Sequence, residues 1–230
     1  MCVMEATLAG LSFRKMLMLV CSVSAIALLS VGCLPQFTES SNRLVYNLPT
    51  ELTVSAGSEL PGTGIRYERM DDKGAYLLIK GQQALKRKGD SVSWSGYLAP
   101  GVAADLRLRI VWYTDKAIYL VGTAKMAIEG AQPQAVPIVT SSVVKFAGPV
   151  AYSANRGAVI PGTTLVYLDK TADGAKLGGV EGYAFRQMGD SLIWEGTLRE
   201  RVYCRLEARV IQYDEKGIRV GGLVTLWVGP

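Results

Sequence analysis

Apolar and polar residues alternate with a period of two at residues 91–98 and again at 191–198. Val92, Trp94, Gly96 and Leu98 fall on one side of the first stretch, with Ser93, Ser95 and Tyr97 on the other. In the second, Leu192, Trp194, Gly196 and Leu198 oppose Ile193, Glu195 and Thr197. Such alternation predicts strands that bury one face. Further strands are predicted at 104–113 and 118–128, joined by Thr114–Ala117, and at 204–213 and 218–228, joined by Asp214–Gly217. These short polar joints mark antiparallel hairpins. Upstream hairpins are predicted at 65–70 with 75–80 and at 165–168 with 175–179, around Gly74 and Gly174. A helical period is confined to the N-terminal apolar segment.

The recurrence is a duplication. At a constant shift of 100, residues 57–130 and 157–230 are identical at 22 of 74 positions without a gap. Repetition at a fixed period of this kind marks a structural unit. Pro-Gly-Thr at 61–63 returns at 161–163, and Gly-Asp-Ser at 89–91 returns at 189–191. Leu106, Arg109, Tyr113, Ile118 and Gly122 each recur 100 residues later, and Tyr46 with Phe146 and Pro49 with Pro149 carry the unit back to residue 43. The expected class is all-β, a tandem duplication of a small antiparallel β-meander, barrel or sandwich, after an N-terminal signal helix. The expected organisation is a signal peptide at 1–32, a tether at 33–42, β-repeat 1 at 43–130, a linker at 131–142 and β-repeat 2 at 143–230. Two units side by side, or one joint barrel or sandwich, satisfy the pattern equally.

Gly189-Asp190-Ser191-Leu192 matches the tetrapeptide that names the GDSL serine esterases, which raises Ser191 as a nucleophile. The chain contains no histidine. A Ser-His-Asp or Cys-His arrangement therefore cannot form within it, and histidine-based zinc motifs fall with it. The duplication gives the plainer reading: Gly-Asp-Ser precedes an alternating strand in both copies, where glycine supplies the backbone angle and the aspartate caps a turn. Pro-Gly-Thr reads likewise as a type II turn. No metal, cofactor or catalytic residue is expected.

Arg14 and Lys15 lead into an apolar run from Met16 to Val31, whose end reads Ser30-Val31-Gly32-Cys33. The length suits a signal-peptide core better than a membrane span. The end of the run resembles the lipobox of bacterial lipoproteins, although the usual leucine stands one place further back, at Leu29, with Ser30 in its slot. The resemblance implies an exported chain cleaved before Cys33, with that residue acylated and holding the protein to the bacterial cell membrane, or to an outer membrane where the host has one. Cys204 is the only other cysteine after the signal, so no intramolecular disulfide scaffold is expected.

The formal charge is +5, or +4 once Glu5, Arg14 and Lys15 leave with the signal. The excess is small and dispersed, and no nucleic-acid partner is expected. Lys86-Arg87-Lys88, whose counterpart in the other copy is Arg186-Gln187-Met188, reads as a solvated loop. Trp94 and Trp194 are expected in the core. Arg109 and Arg209, repeated between apolar neighbours, are expected to pair with Asp90 and Asp190, tying strand to turn.

The copies also differ. Tyr183, Phe185, Tyr203 and Trp227 stand where repeat 1 has Gln83, Leu85, Ala103 and Ala127. If one unit carries a binding face, Tyr183 and Phe185 are its first candidates, because tyrosine-rich loops give contact area at low entropic cost. The preferred expectation is a lipid-anchored, non-catalytic β-repeat protein that binds or scaffolds an envelope protein or glycan. A solute- or glycan-binding lipoprotein with a pocket between repeats is the alternative. A carboxylate hydrolase using acids such as Glu195 and Glu207 follows, weakened because repeat 1 has Ser95 and Arg107 there.

Overall fold

A computed structural model describes residues 43–138 and 144–229. The signal segment, Cys33 and the tether lie outside the described residues, as does the end of the linker. The described chain is all-β and antiparallel.

Repeat 1 contributes β1 (Arg43–Ser55), β2 (Glu59–Leu60), β3 (Ile65–Met70), β4 (Ala75–Ile79), β5 (Gln82–Lys86), β6 (Ser91–Ala99), β7 (Val102–Tyr113) and β8 (Ala117–Glu129). Repeat 2 contributes β9 (Val144–Asn155), β10 (Val166–Thr171), β11 (Gly174–Gly178), β12 (Phe185–Arg186), β13 (Ser191–Arg199), β14 (Val202–Tyr213) and β15 (Gly217–Val228). Each repeat forms a long four-stranded sheet and a small one. The long sheets run β1-β8-β7-β6 and β13-β14-β15-β9, and the small ones run β2-β3-β4-β5 and β10-β11-β12. The meander is thus completed by the first strand of each repeat, which returns beside the last.

Pairing irregularities recur with the same period. Register shifts fall between Tyr67 and Arg69 and between Tyr167 and Asp169, between Tyr97 and Ala99 and between Thr197 and Arg199, and between Ile110 and Trp112 and between Val210 and Gln212. A bulge bends a strand and redirects its side chains, so its retention in both copies keeps the shape of the unit.

The turns behave as their residues require. Gly89 and Gly189 both have φ 87°, a region that residues with a Cβ avoid. The Asp90 carboxylate accepts the Arg87 backbone N–H at 2.8 Å, and Asp190 accepts that of Gln187 at 2.7 Å. Thr63 and Thr163 are buried, and each hydroxyl donates to the carbonyl three residues earlier while accepting the N–H two residues later. Ser191 is an exposed strand residue opposite Arg209.

The expected ion pairs do not form. Arg109 Nη1 donates to the Gly89 carbonyl at 3.0 Å and Arg209 Nη1 to that of Gly189 at 2.7 Å. Strand and turn are tied as expected, but through main-chain oxygen, because each carboxylate turns inward to cap its own loop. Both arginines lie on the exposed face, so neither needs a counter-charge.

Trp94 and Trp194 are buried, and the Trp194 indole N–H reaches the Thr164 hydroxyl at 2.9 Å. Each indole lies across a glycine two residues on. A Cβ on Gly96 would stand 2.7 Å from Trp94, and one on Gly196 2.6 Å from Trp194. The alternation that placed glycine on the apolar face therefore marks room for a ring.

A further tie repeats identically. The Tyr67 ring is fully buried and its hydroxyl donates to the Thr114 carbonyl, while Tyr167 does the same to Asp214, 47 residues downstream in each case. Small sheet and long-sheet hairpin are thereby fastened together.

One hydrophobic cluster runs through both repeats. They meet where β1 and β9 cross: a Cβ on Gly148 would lie 2.8 Å from Pro49 Cδ and 3.0 Å from Leu48 Cδ2. Leu48 and Gly148 are equivalent positions, and contact between equivalents is the mark of twofold-like, isologous packing. Both repeats belong to a single compact unit. The linker is not free chain. Gln134 exchanges two backbone hydrogen bonds with Thr197, both 2.9 Å, and Gln132 N–H donates to the Leu198 carbonyl at 2.7 Å, so the linker covers the outer edge of β13.

Candidate functional site: the outer face of the small sheet of repeat 2

In the small sheets, alternate residues turn inward, among them Ile65, Tyr67 and Leu77 and their counterparts Leu165, Tyr167 and Leu177. The other set faces out, and here the copies diverge. In repeat 1, Glu59 pairs with Arg66, Arg66 with Leu78 and Leu78 with Gln83. The Gln83 amide donates to Glu68 at 3.0 Å, and the Arg69 guanidinium lies 3.9 Å over the Tyr76 ring while pairing with Asp71 at 3.2 Å. This is an ordinary solvated sheet face, satisfied by its own charges.

The same positions in repeat 2 are Val159, Val166, Gly178 and Tyr183, with Leu168 for Glu68 and Phe185 for Leu85. Val159 bridges to Val166, which pairs with Gly178. The Leu168 side chain folds towards Gly178, whose added Cβ would meet its Cδ1 at 3.5 Å. Phe185 stands opposite Lys176. The Tyr183 and Phe185 rings lie 5.4 Å apart, inclined at 52°. Val159 is 50% exposed, Leu168 40% and Tyr183 66%. Four charged or polar outward positions have become apolar or aromatic, and they share one face. A contiguous exposed apolar patch on a small protein marks contact with something else.

Charge remains beside the rings, with Lys176 between Asp169 and Phe185. Arg156 pairs with Asp169 at 2.7 Å and also donates to the Leu168 carbonyl at 3.2 Å, so the acid beside the patch is neutralised. Arg186 holds the aromatic turn: its Nη1 donates to the carbonyls of Tyr183 and Phe185, and its Nε to that of Ser191 at 3.2 Å. Its counterpart Lys86 reaches only the Ser91 carbonyl, at 3.1 Å. A planar guanidinium can serve several acceptors at once, where an ammonium on a flexible stem is a point donor. The arginine thus pre-organises the aromatic pair, which lowers the ordering cost of binding.

The other expected site residues fall elsewhere. Tyr203 and Trp227 pair across β14 and β15 and are half-buried, so they do not join Tyr183 and Phe185 as freely exposed rings. Glu195 and Glu207 flank Arg205 on the outer face of the second long sheet and both pair with it, at 2.9 and 2.7 Å. The two carboxylates thus share one cation on an open sheet face. Lys86-Arg87-Lys88 is engaged with its own chain as well as solvent: Lys88 Nζ lies 3.1 Å over the exposed Trp112 ring, and Arg87 Nε donates to the Lys73 carbonyl. Cys204 is a free, buried thiol whose pKa burial pushes up to about 12. Among the described residues no group of three or more His, Cys, Asp or Glu is placed to hold a metal ion.

Val159, Val166 and Leu168 were missed from sequence. Their signal is the loss of charge at Glu59, Arg66 and Glu68, which becomes a patch only when register puts those positions on one face. No family model matches the chain, and comparison with curated proteins and with solved structures finds no match.

Proposed function

We propose that this chain is an exported, lipid-anchored envelope protein with no catalytic role, in which repeat 1 is a scaffold and the small sheet of repeat 2 is the binding face. The observation that carries this reading is the replacement of Glu59, Arg66, Glu68 and Gln83 by Val159, Val166, Leu168 and Tyr183 at equivalent positions of the duplication. The two rings are inclined to each other, so they offer a relief for protein side chains to fit and not one flat platform for a sugar ring. An envelope protein is the partner class this favours.

The binding test is a photoreactive phenylalanine analogue at position 183, beside the same analogue at position 83, in expressing cells. A discrete protein adduct from 183 alone, abolished by Leu168→Glu, is expected. Equal adducts from both positions, or none from 183, overturn the assignment of the face. The anchor is tested separately by intact mass of membrane-extracted protein. A chain beginning at Cys33 and carrying a diacylglycerol, lost in Cys33→Ser, is expected; an uncleaved or unmodified chain overturns it.

A further inference from the structure

The outer face of the small sheet of repeat 2 has a cation at its centre. Lys176 on β11 stands opposite Asp169 on β10 and opposite Phe185 on β12. Cross-strand partners share a face, and so do residues two apart on one strand. Lys176 therefore lies beside Gly178, and Leu168 covers that glycine, its Cδ1, Cγ and Cδ2 all within 3.8 Å of where a Cβ would stand. Val166 and Leu168 flank the lysine on one side, Phe185 and Tyr183 on the other. A partner that covers both groups covers Lys176 as well.

The described chain supplies no counter-charge. The nearest acid by register is Asp169, and both of its oxygens are taken: Oδ2 accepts Arg156 Nη2 at 2.7 Å and Oδ1 accepts the Lys170 backbone N–H at 2.9 Å. Among the described residues Lys176 makes no hydrogen bond or ion pair. The equivalent place in repeat 1 is closed. Tyr76 stands there, the Arg69 guanidinium lies over its ring, and Arg69 pairs with Asp71. Repeat 2 alone sets a cation without an internal partner inside an apolar face.

An ammonium that loses water without gaining an acceptor is costly, so a purely apolar partner would be penalised at the middle of its own contact. We propose that the partner at this face presents an Asp or Glu carboxylate set between apolar side chains, the acid pairing with Lys176 while its neighbours cover Leu168 and the rings of Tyr183 and Phe185. The inference rests on the small sheet of repeat 2 being the binding face and names the protein chemistry that face selects. Apolar cover supplies contact area. The carboxylate supplies discrimination, because a segment with a neutral residue there leaves Lys176 without an acceptor and one with a lysine sets like charges together.

Two cross-links on membranes of expressing cells separate the face from its chemistry. The photoreactive phenylalanine analogue at position 183 reports occupancy of the face, whatever the charge of the partner. A carbodiimide reports the carboxylate: it activates the partner's acid, the Lys176 amine attacks to form an amide, and the carbodiimide leaves as its urea. The same polypeptide is expected by both routes, with the amide mapped by peptide mass to Lys176 and an Asp or Glu. Lys176 is exposed, so its substitution leaves the core intact. Lys176→Arg should keep the photo-adduct and remove the amide, since a guanidinium pairs with a carboxylate but is not acylated. Lys176→Glu should lower the photo-adduct yield at least about tenfold. A photo-adduct undiminished by Lys176→Glu, or one formed with no amide at Lys176, overturns the carboxylate and leaves the face standing. No photo-adduct from the wild-type face overturns the face, and the inference with it.

Discussion

The Tyr67 and Tyr167 ties test how the two repeats depend on each other. Each ring is fully buried and each hydroxyl reaches a main-chain carbonyl in the long-sheet hairpin of its own repeat. Replacing either by phenylalanine keeps the ring and its packing and removes one hydrogen bond, worth about 0.5–1.5 kcal/mol net. The carbonyls of Thr114 and Asp214 sit in turns near solvent, so water recovers part of the loss and about 1 kcal/mol per substitution is expected. That corresponds to roughly 2–4 °C in a unit of this size. One continuous core joins the repeats, so both substitutions should act on a single transition and Tyr67→Phe with Tyr167→Phe should cost about 2 kcal/mol together. Urea unfolding followed by tryptophan fluorescence reads both halves, since Trp94 and Trp112 lie in repeat 1 and Trp194 and Trp227 in repeat 2. Alkali adds a second arm. Burial raises the pKa of both hydroxyls above the usual 10, so the wild type keeps this contribution below pH 10 and loses it as pH rises through the folded values. The phenylalanine variants should lose less over that window. Two separable transitions, each moved by one substitution only, would refute the shared core. Unchanged midpoints would refute the ties.

Two further outcomes follow from the same geometry. In a double-mutant cycle of Arg209→Met and Asp190→Ala, the aspartate change should cost about 1 kcal/mol through its lost cap, and the coupling should stay below about 0.5 kcal/mol because the guanidinium binds the Gly189 carbonyl; coupling above 1 kcal/mol in denaturant titrations would restore the ion pair. Cys204, held protonated by burial, should resist iodoacetamide in the native protein at pH 8 and react fully in urea, as read by mass; rapid native labelling would contradict its burial.

Much of the fold was legible because the duplication let each half check the other. Alternation around Trp94 and Trp194 named the core face, and the Gly-Asp-Ser turns followed from residue chemistry alone. The first strand of each repeat was harder. Residues 43–55 carry the alternation, yet their partner lies far along the chain at 117–129, and local pattern holds no information about distant pairing. The Arg109 reading failed for a related reason. Spacing said that an arginine and an aspartate were near, but the direction in which each side chain turned was set by the loop's own unpaired N–H.

The candidate face shows the same division. Sequence pointed to Tyr183 and Phe185 because aromatic residues had replaced Gln83 and Leu85, and strand periodicity could place them on an outer surface. It also fixed the all-β class, the repeat and the turns, since these depend on side-chain period and on residues with special backbone freedom. Tertiary structure decided that Val159, Val166 and Leu168 lie on one face with that pair, that Arg186 fastens its carbonyls, that Glu195 and Glu207 share one arginine, and that the linker covers the edge of β13. Each of these depends on register between strands or on contact between segments far apart in sequence, and such contacts arise only when the chain closes on itself.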